Sequence, residues 1–153
     1  MTGRRDHQPA ASPGGTGTAA DGPLGGPLAG RRILVAEDEY LVARDIARIV
    51  AAMGGQVLGP VGRLAQALEL SRGGAVLHGA VLDVQLGEEQ IYPLADELIA
   101  RGVPVIFATG YDGGVIPDHL RATPRVEKPF SQRTLERMAA TVFGGGTAIA
   151  AEA

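Results

Sequence analysis

The sequence predicts an α/β fold in which helices cover both faces of a five-stranded parallel sheet. A strand-like run alternates with a helix-like run five times between residues 31 and 143, and such alternating units are typical of parallel sheets. The strand-like runs are almost continuously apolar, as expected for strands buried on both faces. We therefore expect a doubly wound sheet around one core.

The first two units each combine an apolar strand with an amphipathic helix. Residues 32–36 form the first strand, and residues 41–53 carry apolar side chains at helical spacing until a glycine pair ends the helix. The second strand begins at residues 56–59, and its helix is closed by the glycines at 73 and 74. Both units fit the same strand-then-helix pattern.

The remaining strands are shorter and are followed by less regular segments. Residues 79–82 form the third strand, and the apolar spacing of residues 94–99 predicts the helix after it. Residues 103–107 form the fourth strand and residues 125–127 the fifth. The last helix begins after Ser131, a residue type that commonly caps helix N termini.

The segment between the fourth and fifth strands is a poor helix former. Residues 112–121 contain two glycines and an internal proline, and both residue types weaken helix interiors. We expect the fourth helix to be short or mobile.

Length and composition predict one domain with loose ends. The chain has 153 residues and is 45% hydrophobic, which suits a single core. Residues 1–30 contain eight glycines and four prolines without an apolar period, so we expect a disordered tail there. Residues 144–153 look similar and are expected to form a flexible C-terminal tail, which leaves residues 31–143 as the domain.

Composition also excludes several classes of function. The chain has no cysteine, so disulfides and thiolate metal sites are excluded. No stretch approaches the length of apolar residues that a membrane span needs, and we expect a cytoplasmic protein with no membrane partner. A net charge of −3 and few aromatic residues argue against a nucleic-acid surface.

Polar side chains follow four of the five strands. Glu37 and Asp38 follow the first strand, Asp83 the third, Thr109 the fourth and Lys128 the fifth. The carboxyl ends of parallel strands lie at one edge, and ligands bind there where the strand order reverses. In the order 2-1-3-4-5 the reversal lies between strands one and three, which carry the acids. Oxygen ligands of this kind favour a hard cation such as Mg²⁺ or Mn²⁺.

These residues, together with the Lys128-Pro129-Phe130 run, resemble the receiver-domain pattern of two-component response regulators, the CheY-like domains. The stretch VPVIFATGY further resembles single-domain alphaproteobacterial receivers that carry a Phe-Ala-Thr-Gly-Tyr motif. That group usually has phenylalanine where Val105 stands. The resemblance implies a flavodoxin-like fold and a stand-alone receiver in a phosphorelay.

The resemblance also implies a chemistry. Asp83 would accept a phosphoryl group from a histidine kinase or histidine phosphotransferase, and the chain would act by phosphotransfer or by binding a protein target, not as an enzyme. Asp38 and Asp83 would bind the metal directly, Glu37 mainly through water, and Gln85 through its backbone carbonyl. Lys128 would contact the phosphoryl oxygens, and a cis Lys128–Pro129 bond is expected.

A switch is implied at the end of the fourth strand. In the family the hydroxyl at the position of Thr109 moves toward the phosphoryl group, and many receivers have an aromatic residue where Arg125 stands. We hypothesise that Tyr111 takes over the reporting role, although its ring could equally pack over the fourth strand. Hydrogen exchange over residues 110–121, with and without a phosphoryl mimic, would test this hypothesis.

Two other functions remain open. Haloacid-dehalogenase-type phosphatases also use a nucleophilic aspartate with Mg²⁺, but they need a second aspartate where Gln85 stands. A phosphorylation-independent pseudo-receiver is disfavoured because every residue of the site pattern is present. Taken singly, the acids at 37–39 could merely favour the positive end of the first helix, and His78 and His119 fit ordinary surface positions.

Overall fold

The structure is a computed structural model, and it describes residues 25–110 and 116–144. Seven strands and four helices occur in this part of the chain. In chain order they are β1 (Arg32–Ala36), α1 (Tyr40–Ala52), β2 (Gln56–Val61), α2 (Leu64–Arg72), β3 (Gly79–Asp83), β4 (Gln85–Leu86), β5 (Glu89–Gln90), α3 (Tyr92–Ala100), β6 (Val105–Thr109), β7 (Arg125–Glu127) and α4 (Gln132–Phe143).

The main sheet has the predicted topology. Its five strands are parallel and run in the order β2-β1-β3-β6-β7, so β6 and β7 are the fourth and fifth strands of the sequence prediction. The order confirms the predicted 2-1-3-4-5 arrangement. β1 therefore lies between β2 and β3, and the strand order reverses beside it.

Alternation along the strands divides the core into two hydrophobic layers, one on each face of the sheet. Ile33 and Val35 of β1 belong to the layer that contains Ile46 of α1 and Leu135 of α4. Leu34 and Ala36 belong to the other layer, which includes residues of α2 and α3. Successive side chains of a strand point to opposite faces, so a single apolar run supplies both layers.

The ends of the elements differ from expectation in two places. Thr109 is the last residue of β6 and not part of a turn beyond it. Residues 25–30 are packed against the domain, because Leu28 is fully buried and its N–H donates to Met53 O at 2.9 Å. The expected tail of residues 1–30 is therefore wrong for this stretch, since one leucine among glycines gives no periodic signal. Residues 1–24 and 145–153 lie outside the described part.

An unexpected hairpin follows β3. β4 and β5 pair antiparallel, with Leu86 opposite Glu89, and Gly87 in the turn has a φ of 63°, which glycine adopts without strain. Strands of two residues are too short for a periodic pattern to reveal. The hairpin lies directly after Asp83 and so borders the predicted site.

Between β6 and β7 the described residues form only one turn of 3-10 helix, Asp118–Leu120. For the described residues of the segment 112–121 this fits the expected short helix, whereas residues 111–115 lie outside the described part. Ser131 caps α4 as predicted, because its hydroxyl accepts a hydrogen bond from Thr134 N at 3.1 Å. In residues 25–110 and 116–144 no helix has both the length and the apolar content needed to cross a membrane.

The close contact between Gly79 of β3 and Phe143 of α4 shows how tightly α4 packs on the sheet. A Cβ atom there would lie 2.4 Å from a ring carbon of Phe143, and overpacking a core costs about 1–3 kcal/mol or more. We expect Gly79→Ala to lower the free energy of unfolding by at least that amount in urea denaturation. Gly110→Ala is the control, because a Cβ there meets nothing within 4 Å. Equal stability of the two variants would contradict this packing.

Candidate functional site

Three carboxylates meet at the carboxyl edge of the sheet. Glu37 and Asp38 follow β1 and Asp83 ends β3, and these two strands are direct neighbours with Ala36 paired to Leu82. One oxygen from each carboxylate lies within 4.8 Å of the others. Glu37 and Asp83 are buried, whereas Asp38 is exposed. The cluster that the sequence predicted at this edge is therefore present.

The ammonium group of Lys128 lies against this cluster. Its nitrogen is 2.8 and 3.0 Å from the two oxygens of Glu37 and 3.1 Å from Oδ2 of Asp83. A further carboxylate oxygen, Oε1 of Glu39, is also 3.1 Å away. Lys128 follows β7, and its own N–H donates to the carbonyl of Thr109 at 2.8 Å. The lysine thus reaches across the sheet edge to the acids, as predicted.

Backbone N–H groups hold each acid in place. Glu39 N donates to Glu37 Oε2 at 3.1 Å, and Gln85 N donates to Asp83 Oδ1 at 3.0 Å. Gly87 N, in the turn of the hairpin, donates to Asp38 Oδ2 at 2.9 Å. Sequence reasoning missed Gly87, although a glycine after Leu86 is a turn signal. The hairpin therefore positions the exposed acid of the cluster.

A bulge in β2 positions the main chain of Glu37. Gly59 has a φ of 103°, and a Cβ atom there would lie 2.8 Å from Val35 O. The pairing register shifts after this point, so that Ala36 pairs with Val61. Glu37 N then donates to Val61 O at 2.9 Å. The glycine lets the edge strand approach β1 closely enough to continue the pairing up to the site.

Burial and the neighbouring charges shift the pKa values of Glu37 and Lys128. Burial, and then the hydrogen bond and charge of Asp83, raise the pKa of Glu37 to about 7, against the opposing effect of Lys128. Burial alone would lower the pKa of Lys128, but hydrogen bonds and ion pairs with Glu37 and Asp83 outweigh it and raise that pKa. Burial is therefore the main reason that the pKa of Glu37 is raised.

The residues present fit a divalent cation. Oε1 of Glu37 is fully buried and accepts no hydrogen bond of good geometry from a described residue, although the lysine nitrogen lies 2.8 Å away. A buried acceptor without a partner is costly, and a cation or a water bound to one would satisfy it. The donor set is entirely oxygen, as Mg²⁺ and Mn²⁺ prefer. That the carbonyl oxygen of Gln85 joins this set stays a prediction.

The other predicted residues have the following places. Thr109 is 8% exposed and pairs with Glu127 of β7, one residue beyond the pair of Asp83 with Ala108. Tyr111 lies outside the described residues, and its role stays a prediction. The Lys128–Pro129 bond is cis, which confirms that prediction, and a second cis bond at Gly59–Pro60 was not predicted.

Arg125 has a structural role. It stands where many receivers have an aromatic residue, and its guanidinium donates to Arg121 O at 2.6 Å, beside the 3-10 turn. Tyr92 of α3 packs against β6, where its ring meets the ring of Phe107 edge-on with ring centres 6.0 Å apart. The Tyr92 hydroxyl is buried without a hydrogen-bond partner among the described residues.

His78 and His119, the two histidines in the described part of the chain, take no part in the site. His78 Nδ1 accepts from Arg32 N at 2.9 Å, and burial together with Arg31 and Arg32 lowers its pKa. It lines an apolar groove, with Leu77 and Phe143, that does not include any residue of the acidic cluster. His119 pairs with Asp96 on the surface at 2.9 Å. Both positions are the ordinary ones that the sequence suggested.

No protein-family model matches the chain. The solution structure of SdrG from Sphingomonas melonis Fr1 is 33% identical in sequence, has a TM-score of 0.65, and is matched over 72% of this chain and 94% of that one. A response regulator receiver protein from Sinorhizobium medicae WSM419 is 24% identical with a TM-score of 0.57, and is matched over 72% of this chain and 90% of that one. At that identity the second likeness concerns the fold alone.

A curated relative is longer than the matched region. The transcriptional regulatory protein PdtaR of Mycobacterium tuberculosis is 29% identical over 108 residues, which cover 66% of this chain and 51% of that protein. The chain thus spans about half the length of this relative. What the remainder of PdtaR does is not carried over to this chain.

Metal binding at the cluster can be tested at Asp38, the exposed acid. We expect Asp38→Asn to weaken Mg²⁺ binding on the order of tenfold or more, because the variant removes one anionic ligand. Isothermal calorimetry measures the affinity. Asp45→Asn is the matched control, since it makes the same change of charge on α1, where Asp45 pairs with Arg48 at 2.9 Å. The same affinity in both variants would refute the site.

Proposed function

We propose that this chain, which has the fold of a response-regulator receiver domain, accepts a phosphoryl group on Asp83 from a histidine kinase or histidine phosphotransferase. The observation that carries the proposal is the convergence of Lys128 and two further carboxylates, Glu37 and Asp38, on Asp83 at the carboxyl edge of the sheet. Asp83 is 5% exposed, whereas Asp38 and Glu39 beside it are exposed. Output then comes from phosphotransfer onward or from binding a protein target.

The transfer itself needs few groups. A carboxylate oxygen of Asp83 forms a bond to phosphorus, the bond from phosphorus to the donor imidazole nitrogen breaks, and that nitrogen keeps the electron pair. Catalysis of phosphoryl transfer rests on positioning and on stabilising charge at the transferring oxygens. The ammonium of Lys128, 3.1 Å from Asp83 Oδ2, is placed to do this.

The carboxylates are the groups that would hold a metal. Asp38 and Asp83 would bind Mg²⁺ or Mn²⁺ directly, Glu37 mainly through water, and Gln85 through its carbonyl oxygen. When bound, the cation would supply positive charge next to the transferring oxygens. Burial of Glu37 and its raised pKa of about 7 support a need for such charge.

We propose Thr109 as the residue that senses the phosphoryl group. It ends β6 next to the strand that carries Asp83, and its hydroxyl can donate to a phosphoryl oxygen. Movement of Thr109 would pull on the chain after β6, which is a known way to couple a modification to a surface. Tyr111 is the proposed reporter in that segment.

A phosphatase is the weaker alternative. It would need a carboxylic acid two residues after Asp83 to protonate a leaving group, and the side chain there, Gln85, is an amide that donates to Gly87 O at 3.0 Å. An amide does not serve as a general acid near neutral pH. We therefore propose a non-enzymatic signalling protein, and a cytoplasmic location where its donors act.

The nucleophile is tested directly by substitution. Asp83→Asn should abolish phosphorylation by a purified histidine kinase, because an amide is a far poorer nucleophile than a carboxylate. Radiolabel from the kinase should appear on the unchanged chain and on the control Asp118→Asn, whose side chain is 93% exposed. Label on Asp83→Asn that is acid-stable and base-labile would overturn the assignment.

A protein donor should also use the apolar surface beside the site. Tyr40 and Leu41 begin α1 directly after Glu39, and they are 75% and 66% exposed. Exposed apolar side chains next to a reactive group are suited to a protein partner. A donor that reaches Asp83 past Glu39 would cover them.

Substitution of Leu41 can distinguish docking of a protein donor on this surface from the phosphorylation of Asp83 itself. We expect Leu41→Ser to slow phosphotransfer from a histidine phosphotransferase but to leave phosphorylation by acetyl phosphate unchanged, because the small donor needs no docking. Val76→Ser is the matched control, since Val76 is 63% exposed and immediately precedes the groove-lining Leu77 and His78. Equal rates for the two variants with the protein donor would exclude this surface.

A further inference from the structure

We propose that Glu39 is a positioning residue that competes with the phosphoryl group for the ammonium of Lys128. The inference rests on the proposed function and concerns how the same site is controlled. Glu39 Oε1 lies 3.1 Å from the lysine nitrogen, and its side chain is 61% exposed. The sequence gives no such role, because an acid at this position also fits the start of a helix.

The first step is that the ammonium is fully engaged. A lysine has three N–H donors, and the nitrogen of Lys128 makes hydrogen bonds to Glu37, Glu39 and Asp83 at 3.0, 3.1 and 3.1 Å. A phosphoryl oxygen on Asp83 would need a donor from the same ammonium. One of the present carboxylate partners must then give way.

The second step is that burial decides which partner gives way. Asp83 loses its own charge when one of its oxygens binds phosphorus but keeps the other oxygen beside the lysine, whereas the Glu37 side chain is fully buried, and separating a buried ion pair leaves an uncompensated charge at high cost. An exposed pair is weak, because water replaces the lost partner. Glu39 is therefore the carboxylate that releases Lys128 when a phosphoryl group arrives.

The third step is that Glu39 acts on the lysine and not on the metal. The carboxylates that come within 4.8 Å of one another are Glu37, Asp38 and Asp83, and Glu39 is not among them. Its own N–H donates to Glu37 Oε2 at 3.1 Å, so its main chain is held at the site while its side chain stays in solvent. Its negative charge also repels an incoming phosphoryl group.

The test compares two neutral variants for binding of a phosphoryl mimic. Glu39→Gln keeps the shape of the side chain and removes its charge. Glu127→Gln makes the same change of net charge on an exposed side chain one residue before Lys128. Affinity for beryllofluoride is measured by calorimetry in saturating Mg²⁺, and affinity for Mg²⁺ alone is measured separately.

We expect Glu39→Gln to bind beryllofluoride about two- to fivefold more tightly than Glu127→Gln, which is the range that one exposed ion pair allows. Mg²⁺ affinity should be the same in the two variants, because neither removes a carboxylate of the cluster. A residue that merely supported the fold would change both affinities together. Tighter mimic binding with unchanged Mg²⁺ affinity supports the competition.

Two results would count against it, and they can be told apart. If the unchanged chain binds the mimic and Glu39→Gln binds it no more tightly than Glu127→Gln, the role of Glu39 is overturned while the proposed function stands. If no variant binds the mimic although all bind Mg²⁺, the proposed function fails and the inference fails with it.

Discussion

The contact between the Lys128 ammonium and the carboxylates around it is the interaction on which the site depends. Lys128 lies 2.8 Å from Glu37 and 3.1 Å from Asp83, both of them buried. Burying these acids without a counter-charge would be costly, because a buried charge needs a partner of opposite sign. The lysine supplies that counter-charge at this edge, and it is the same group that the proposed phosphoryl transfer would use.

The sheet makes that contact possible by its strand order. Because β1 and β3 are neighbours while β7 lies at the edge beyond β6, the lysine starts two strands away from Asp83 and three strands away from Glu37. A long lysine side chain spans this gap, and the N–H of Lys128 on Thr109 O fixes its starting point at 2.8 Å. The bulge at Gly59 positions the main chain of Glu37, and the hairpin turn at Gly87 positions the side chain of Asp38. Thr109 belongs to the same hydrogen-bonded edge, because its carbonyl oxygen accepts the bond from Lys128 N.

Much of this arrangement could be predicted from residue types and periodicity. The strand-then-helix alternation predicted a parallel sheet with helices on both faces, and the polar residues at the strand ends predicted where the cluster lies. The predictions that failed or were missed concern short or isolated signals. Leu28 packs into the core from a glycine-rich stretch, and the hairpin of β4 and β5 has only two residues in each strand. Neither feature has enough apolar repeats to give a period.

By itself the sequence determined the class of fold, the edge at which the functional groups gather and the chemical kinds of those groups. These follow from local patterns, since periodicity sets the elements and each polar residue stands next to its own strand. Only the tertiary structure decided that Glu39 shares Lys128 with the buried acids and that Gly87 holds Asp38. Those contacts join residues 89 and 49 positions apart in the chain. Their geometry depends on how strands, turns and a bulge pack together, which no local pattern encodes.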